Sequence, residues 1–196
     1  MIWVEELKLK NVIQDVYYYR YHRRERGNIV NSWGRPRIKI QKTKSEWIWD
    51  IIGYSFFLGS IIFLITIWGR LPEEVPGHYN AAGVVDRWGA KWELLILPGI
   101  GVFILLLMQT LEKFPEVYNY PQRLNESNAK QFYLNSRKLI NQLKNVCLVI
   151  FTLIQFETIS IALGWRSGFG KLFLPIIIIG TVIPIVIGII RQRKIK

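Results

Sequence analysis

The sequence predicts an all-α fold, an integral membrane four-helix bundle with both termini in the cytoplasm and one ordered extracytoplasmic loop between helices 1 and 2. Three observations predict it. Four windows, 51–68, 94–111, 145–165 and 172–190, hold 76 of the 196 residues and one charge, Glu157, while the other 120 residues hold 39 charges. A bilayer core of roughly 30 Å demands such runs, and a soluble domain does not. The basic residues also alternate by side: 11 Lys/Arg lie in 1–46, six in 113–144 and four in 191–196. Only Arg70, Arg87, Lys91, Arg166 and Lys171 fall in the two intervening segments. Lys and Arg concentrate in cytoplasmic loops, so this pattern sets the orientation, with both termini and the middle loop in the cytoplasm. The third observation is the stretch 69–93, whose prolines and glycines stiffen and turn a loop carrying several polar side chains.

The same counts exclude other classes. The net charge of +12 is accounted for by this asymmetry, and no nucleic-acid motif accompanies it, so no nucleic acid is expected. A single cysteine, Cys147, rules out a disulfide framework or a cysteine zinc site.

The chain divides into a basic cytoplasmic segment 1–46, a four-span domain 47–190 and a basic tail 191–196. In the first, Leu9, Val12, Ile13, Val16 and Tyr19 recur at helical spacing, which predicts a helix lying on the inner leaflet. Residues 27–46, with Gly27, Gly34 and Pro36, read as a tether. Span one, 47–68, is bracketed by Trp47, Trp49 and Trp68, as expected for rings at the headgroup boundary. Ser55 and Gly59, four apart, permit a close helix contact. Span two, 94–111, carries Pro98 near its outer end, which predicts a kink. Before span three, Asn125 is the expected N-cap of a helix running straight into 145–165. Span four, 172–190, places Gly180, Pro184 and Gly188 on one face, expected to meet another helix.

Span three also carries Gln155 and Glu157. Glu157 lies roughly 18 Å beyond the cytoplasmic end at 1.5 Å per residue. A carboxylate at that depth costs roughly 3 kcal/mol or more on insertion scales, so it should turn into the bundle, protonated or paired, and is a functional candidate.

The loop 69–93 holds His78, Asn80, Gly83, Asp86 and Lys91 between short turns. Three readings stand. His78 and Asp86 could ligate a metal, although they fall short of the usual three or four ligands unless Glu157 joins them. His78 could act as a base or a pH-sensitive switch, but no nucleophile or oxyanion motif accompanies it. Alternatively, His78, Asn80 and Asp86 tie the loop together by capping backbone groups.

The ordered residues Pro72, Val75, Pro76, His78, Asn80, Gly83, Asp86, Gly89 and Lys91 resemble the signature of a bacterial membrane family known as domain of unknown function 1648. Tyr79 stands where that family more usually has Trp or Phe. The run Pro115, Asn119, Tyr120, Pro121, Asn128, Tyr133 and Arg137 is also similar. The resemblance covers about 47–190 and leaves 1–46 outside. It implies kinship with proteins that give immunity to a sporulation-delaying peptide toxin and signal by recruiting a repressor, although those relatives carry further spans.

Together these readings predict a non-enzymatic membrane protein of the immunity or sensor kind. Its binding residues would be His78, Asn80, Gly83, Asp86, Lys91 and Glu157, with no catalytic residue, metal or cofactor assigned. The expected partners are the lipid bilayer, a peptide or envelope ligand outside, a cytoplasmic protein and a second copy of the chain. The alternatives are a metal-dependent membrane enzyme using His78, Asp86 and Glu157, or a small transporter component built around Pro98, Pro184 and the buried acid.

Overall fold

The computed structural model describes residues 34–168, 170 and 173–196, so the helix expected around 9–19 lies outside the described residues. Four helices are long and apolar enough to cross a membrane. They are α1 (Lys44–Ile67), α2 (Ile96–Lys113), α3 (Ala129–Ala162) and α4 (Phe173–Arg193). Their outer faces carry large apolar side chains such as Ile51, Ile65, Phe103 and Leu106, each more than 60% exposed, the surface that a bilayer would cover.

α1 begins where Glu46 reaches back to accept the Thr43 backbone N–H at 2.7 Å, a capping-box contact. α3 is 34 residues, roughly 50 Å at 1.5 Å per residue, and therefore longer than its apolar window. Its N-cap is Asn128 rather than Asn125, whose Oδ1 instead accepts the Ser127 and Asn128 backbone N–H groups in the preceding turn. The helix ends at Gly164 in the left-handed region (φ 72°), where the Trp165 and Gly164 N–H groups return to Ser160 and Ile161. α3 is the organising element: α1, α2 and α4 each pack against it.

The segment between α1 and α2 corrects the all-α prediction. Residues Glu74–Tyr79 (β1) and Val85–Ala90 (β2) pair antiparallel as a two-stranded hairpin, with register shifts on either side of His78. Val75 is fully buried and joins Leu64, Ile67, Leu71, Leu94 and Ile159 in an apolar cluster that seats the hairpin on α1 and α3. A second cluster of Ala129, Phe132 and Tyr133 closes the opposite end, with Ile38, Ile40, Tyr120, Leu124 and Ile195 packed on it. Residues 34–43 are thus not a free tether: they lie docked along that end of the bundle.

Two further expectations change. Pro98 is the third residue of α2, preceded by the 3-10 segment Lys91–Leu95, so its missing N–H lies among the four that have no intrahelical partner anyway. Of the two glycines expected on that face, Gly188 makes a close contact, against Leu139 of α3, while a methyl at Gly180 would meet nothing within 4 Å. Gly59 likewise faces open space; the close approaches of α1 are at Gly53 against Asn145 and at Phe57 against Gly101.

Candidate functional site

The hairpin turn is built by Asn80. Its Oδ1 accepts the backbone N–H groups of Ala82 (2.9 Å) and Val84 (3.1 Å), an Asx-type arrangement that closes the loop. Gly83 follows at φ 76°, a conformation costly to a residue with a Cβ. At the base, Lys91 donates its backbone N–H to Glu73 O at 2.9 Å and sets its ammonium 5.2 Å from the Trp68 ring centre. Along the strands, Arg87 donates to Gly77 O at 2.8 Å and to Glu93 at 2.9 Å. That Glu93 carboxylate occupies the space a methyl on Gly89 would need. The Glu93 partner pushes the Arg87 guanidinium pKa upward. Asn80, Gly83, Gly89 and Lys91 are accordingly explained by the shape of the hairpin.

His78 and Asp86 differ. They face each other across the strands with Nδ1 and Oδ1 2.6 Å apart and side chains 65% and 41% exposed. The carboxylate accepts the Nδ1–H, which in the neutral imidazole leaves Nε2 as an acceptor. Tyr79, beside them, turns inward and donates its hydroxyl to Thr158 Oγ1 of α3 at 3.0 Å. Burial pushes the Tyr79 phenol up to about 12, its hydrogen bond to Thr158 opposing that shift and the charge of Glu157 adding to it. A cavity of about 310 Å³ opens between the turn and the ends of α3 and α4, lined by Tyr79, Asn80, Gly83, Ile154, Phe173 and Leu174.

Glu157 is paired, as its depth demanded, but by Arg166 from the segment just past α3 rather than by a neighbouring helix. Among the described residues no three His, Cys, Asp or Glu side chains gather where they could hold a metal. The proposed triad of His78, Asp86 and Glu157 is therefore not assembled.

The opposite end of the bundle carries a constellation that the sequence reading missed. The fully buried Lys144 of α3 donates to Glu112 of α2 (2.6 Å), to Asp50 of α1 (3.0 Å) and to the Tyr54 hydroxyl (3.0 Å). Asn141 and Asn145 both turn their amide N–H groups to Asp50 Oδ1, at 2.7 and 2.9 Å. Their own Oδ1 atoms, also buried, have no hydrogen-bond partner among the described residues, so this cluster is organised around the acid. Lys42, in the docked segment before α1, pairs with the other oxygen of Asp50 and stands 4.0 Å from Glu112. One turn back along α1, Glu46 receives Arg137 through two nitrogens, at 2.8 and 3.1 Å. Arg137 also donates to the Ile40 and Gln41 carbonyls. The sequence signal was there: Asp50 and Glu112 are acids at the same-side ends of two spans, where the flanking charge is otherwise mostly basic.

With this geometry in view, comparison with known proteins is informative about kinship and silent about chemistry. An "Uncharacterized protein" of Archaeoglobus fulgidus is 35% identical over 80 residues, 40% of this chain and 42% of that protein. No solved structure matches the chain. Neither that relative nor the family match bears on toxin immunity or on a bacterial source. Residues 56–102, which run from the middle of α1 through the hairpin into α2, match the family described as Domain of unknown function (DUF1648). The match spans the loop motif that resembles the family's signature.

Proposed function

We propose that the chain is a non-enzymatic membrane protein of the immunity or sensor kind, and that its hairpin recognises a peptide or envelope ligand. One observation carries this reading: the His78–Asp86 pair sits exposed on the hairpin while the neighbouring motif residues shape or anchor it. An exposed ion pair contributes about 0–1 kcal/mol to stability, so the fold has little need of it. A dyad that fixes an imidazole in one tautomer and turns it toward solvent is suited to bonding a ligand. In this reading the hairpin faces outward and both termini lie in the cytoplasm, where residues 1–46 report to a partner. The basic flanks support that orientation.

Deleting the gene should sensitise cells to a membrane-active peptide, and His78→Ala should reproduce the defect at normal protein levels. Unchanged sensitivity in both strains would overturn the reading.

A further inference from the structure

We propose that residues 34–43 form a proton-linked strap: docked, the strap places Lys42 against the Asp50 and Glu112 carboxylates, and lifting it obliges that pair to take up one proton. The inference is independent of the hairpin.

The argument is one of charge in a confined place. The side chains of Asp50 and Glu112 are 3% and 9% exposed. The groups around them come from every packed element. They are Lys42 of the strap, Glu46 and Tyr54 of α1, Gln109 of α2, Tyr118 of the segment after α2, and Arg137, Asn141, Lys144 and Asn145 of α3. Glu46 and Arg137 neutralise each other. What remains is two carboxylates against two ammoniums, Lys42 and Lys144. Lifting the strap removes one ammonium and leaves a buried pair one negative charge in excess. A buried carboxylate without a counter-charge neutralises itself rather than remain ionised. A single proton on one of the two restores balance and leaves Lys144 in place.

The strap is built to lift as a unit. Residues 36–43 belong to no helix or strand. They are held by Arg137 on two carbonyls, by Ile38 and Ile40 on the Phe132 cluster, by the 85% exposed Arg37 at 3.3 Å from Glu116, and by Lys42. Just before them, Arg35 lies 5.1 Å from the Tyr120 ring centre and donates to Glu116 O. The side chain of Lys42 remains 24% exposed, so solvent reaches the pair from the strap side. Because the lifted state holds one proton more than the docked state, docking strengthens as pH rises and weakens as it falls.

The test uses the full chain in phosphatidylcholine vesicles, carrying Cys147→Ser and spin labels at Lys39→Cys and Lys130→Cys, both exposed positions. An Ile38→Ala background weakens the apolar anchor so that both populations are visible. As pH falls from 8 to 5, the long-distance population should grow relative to the short one, by up to about tenfold per pH unit. Lys42→Gln should raise the long-distance population at pH 8 and flatten the pH response, since both states then need the proton. Lys42→Arg should restore both. Glu112→Gln should also flatten the response, because lifting the strap no longer leaves an excess charge, and helicity by circular dichroism confirms that each variant is folded. A distance distribution that ignores pH in the parent, or a Lys42→Gln or Glu112→Gln variant that keeps the parent's slope, would overturn the proposal.

Discussion

At the hairpin end, His78 meets Asp86 with side chains 65% and 41% exposed; at the other end, Lys144 meets Asp50 and Glu112 with side chains 0%, 3% and 9% exposed. Both regions join acids to a nitrogen base across separate elements, neighbouring in sequence at the hairpin and distant in the bundle, and both hold contacts within 3 Å. Their consequences are opposite. Water around the hairpin screens its pair, so the pair adds little to stability and stays available to a ligand. At the other end Lys144 is shut off from solvent, which approaches the acids only past Lys42, so removing Lys144 is costly. Exposure, more than the residues involved, separates a site that can recognise from a site that holds helices in register.

That contrast can be broken most forcefully at Lys144. Lys144→Met should destabilise the bundle by about 3–5 kcal/mol, because it leaves the two buried carboxylates with Lys42 alone, as read by unfolding in detergent micelles. Pairing it with Glu112→Met should recover part of the loss, since the excess negative charge goes with it.

A second, smaller effect tests the packing that brings those charges together. A methyl on Gly53 would collide with the Asn145 side chain, so Gly53→Ala should cost about 1–3 kcal/mol. Gly59→Ala, which meets nothing within 4 Å, should change stability by no more than about 0.5 kcal/mol in the same assay.

At the hairpin end, Tyr79→Phe removes the hydrogen bond to Thr158 and should cost about 1 kcal/mol. The phenol's pKa is raised from 10.0 to about 12, so the neutral form is the one the folded state favours. Its contribution is present below pH 10 and is lost as pH rises toward 12. Alkaline titration of hairpin docking should show that loss, and Tyr79→Phe should diminish it.

The smallest stability effect belongs to His78→Ala, expected to change unfolding by less than about 0.5 kcal/mol. A large loss there would mean that the pair is structural and would erase the contrast between the two ends.

Much of the architecture was legible because hydrophobic length is a local property. Four nearly charge-free windows fall within or against the four helices, and α3 does run unbroken from the segment before residue 145 into span three. In the loop, the reading that Asn80 caps backbone groups holds in detail. The pairing of β1 with β2 was missed because Pro76, Gly77 and Gly89 disguise a strand pattern that only cross-strand contacts complete. The docking of residues 34–43 was missed for a related reason: Ile38 and Ile40 are too few to show periodicity, and their partners lie some 90 residues away.

Asp50, Glu112 and Lys144 each stand at the edge of a charge-free window, where a flanking charge is ordinary. The sequence by itself determined that four apolar helices exist, that basic residues concentrate in alternate segments between them, and that a polar loop motif lies between the first two. Those properties follow from solvation of each segment taken alone. Tertiary structure alone decided that three flanking charges become one buried cluster, that Glu157 turns to Arg166 rather than to the hairpin, and that His78 and Asp86 face water. Each of these depends on the rotation of helices about α3, and a helix's rotation is set by what it packs against.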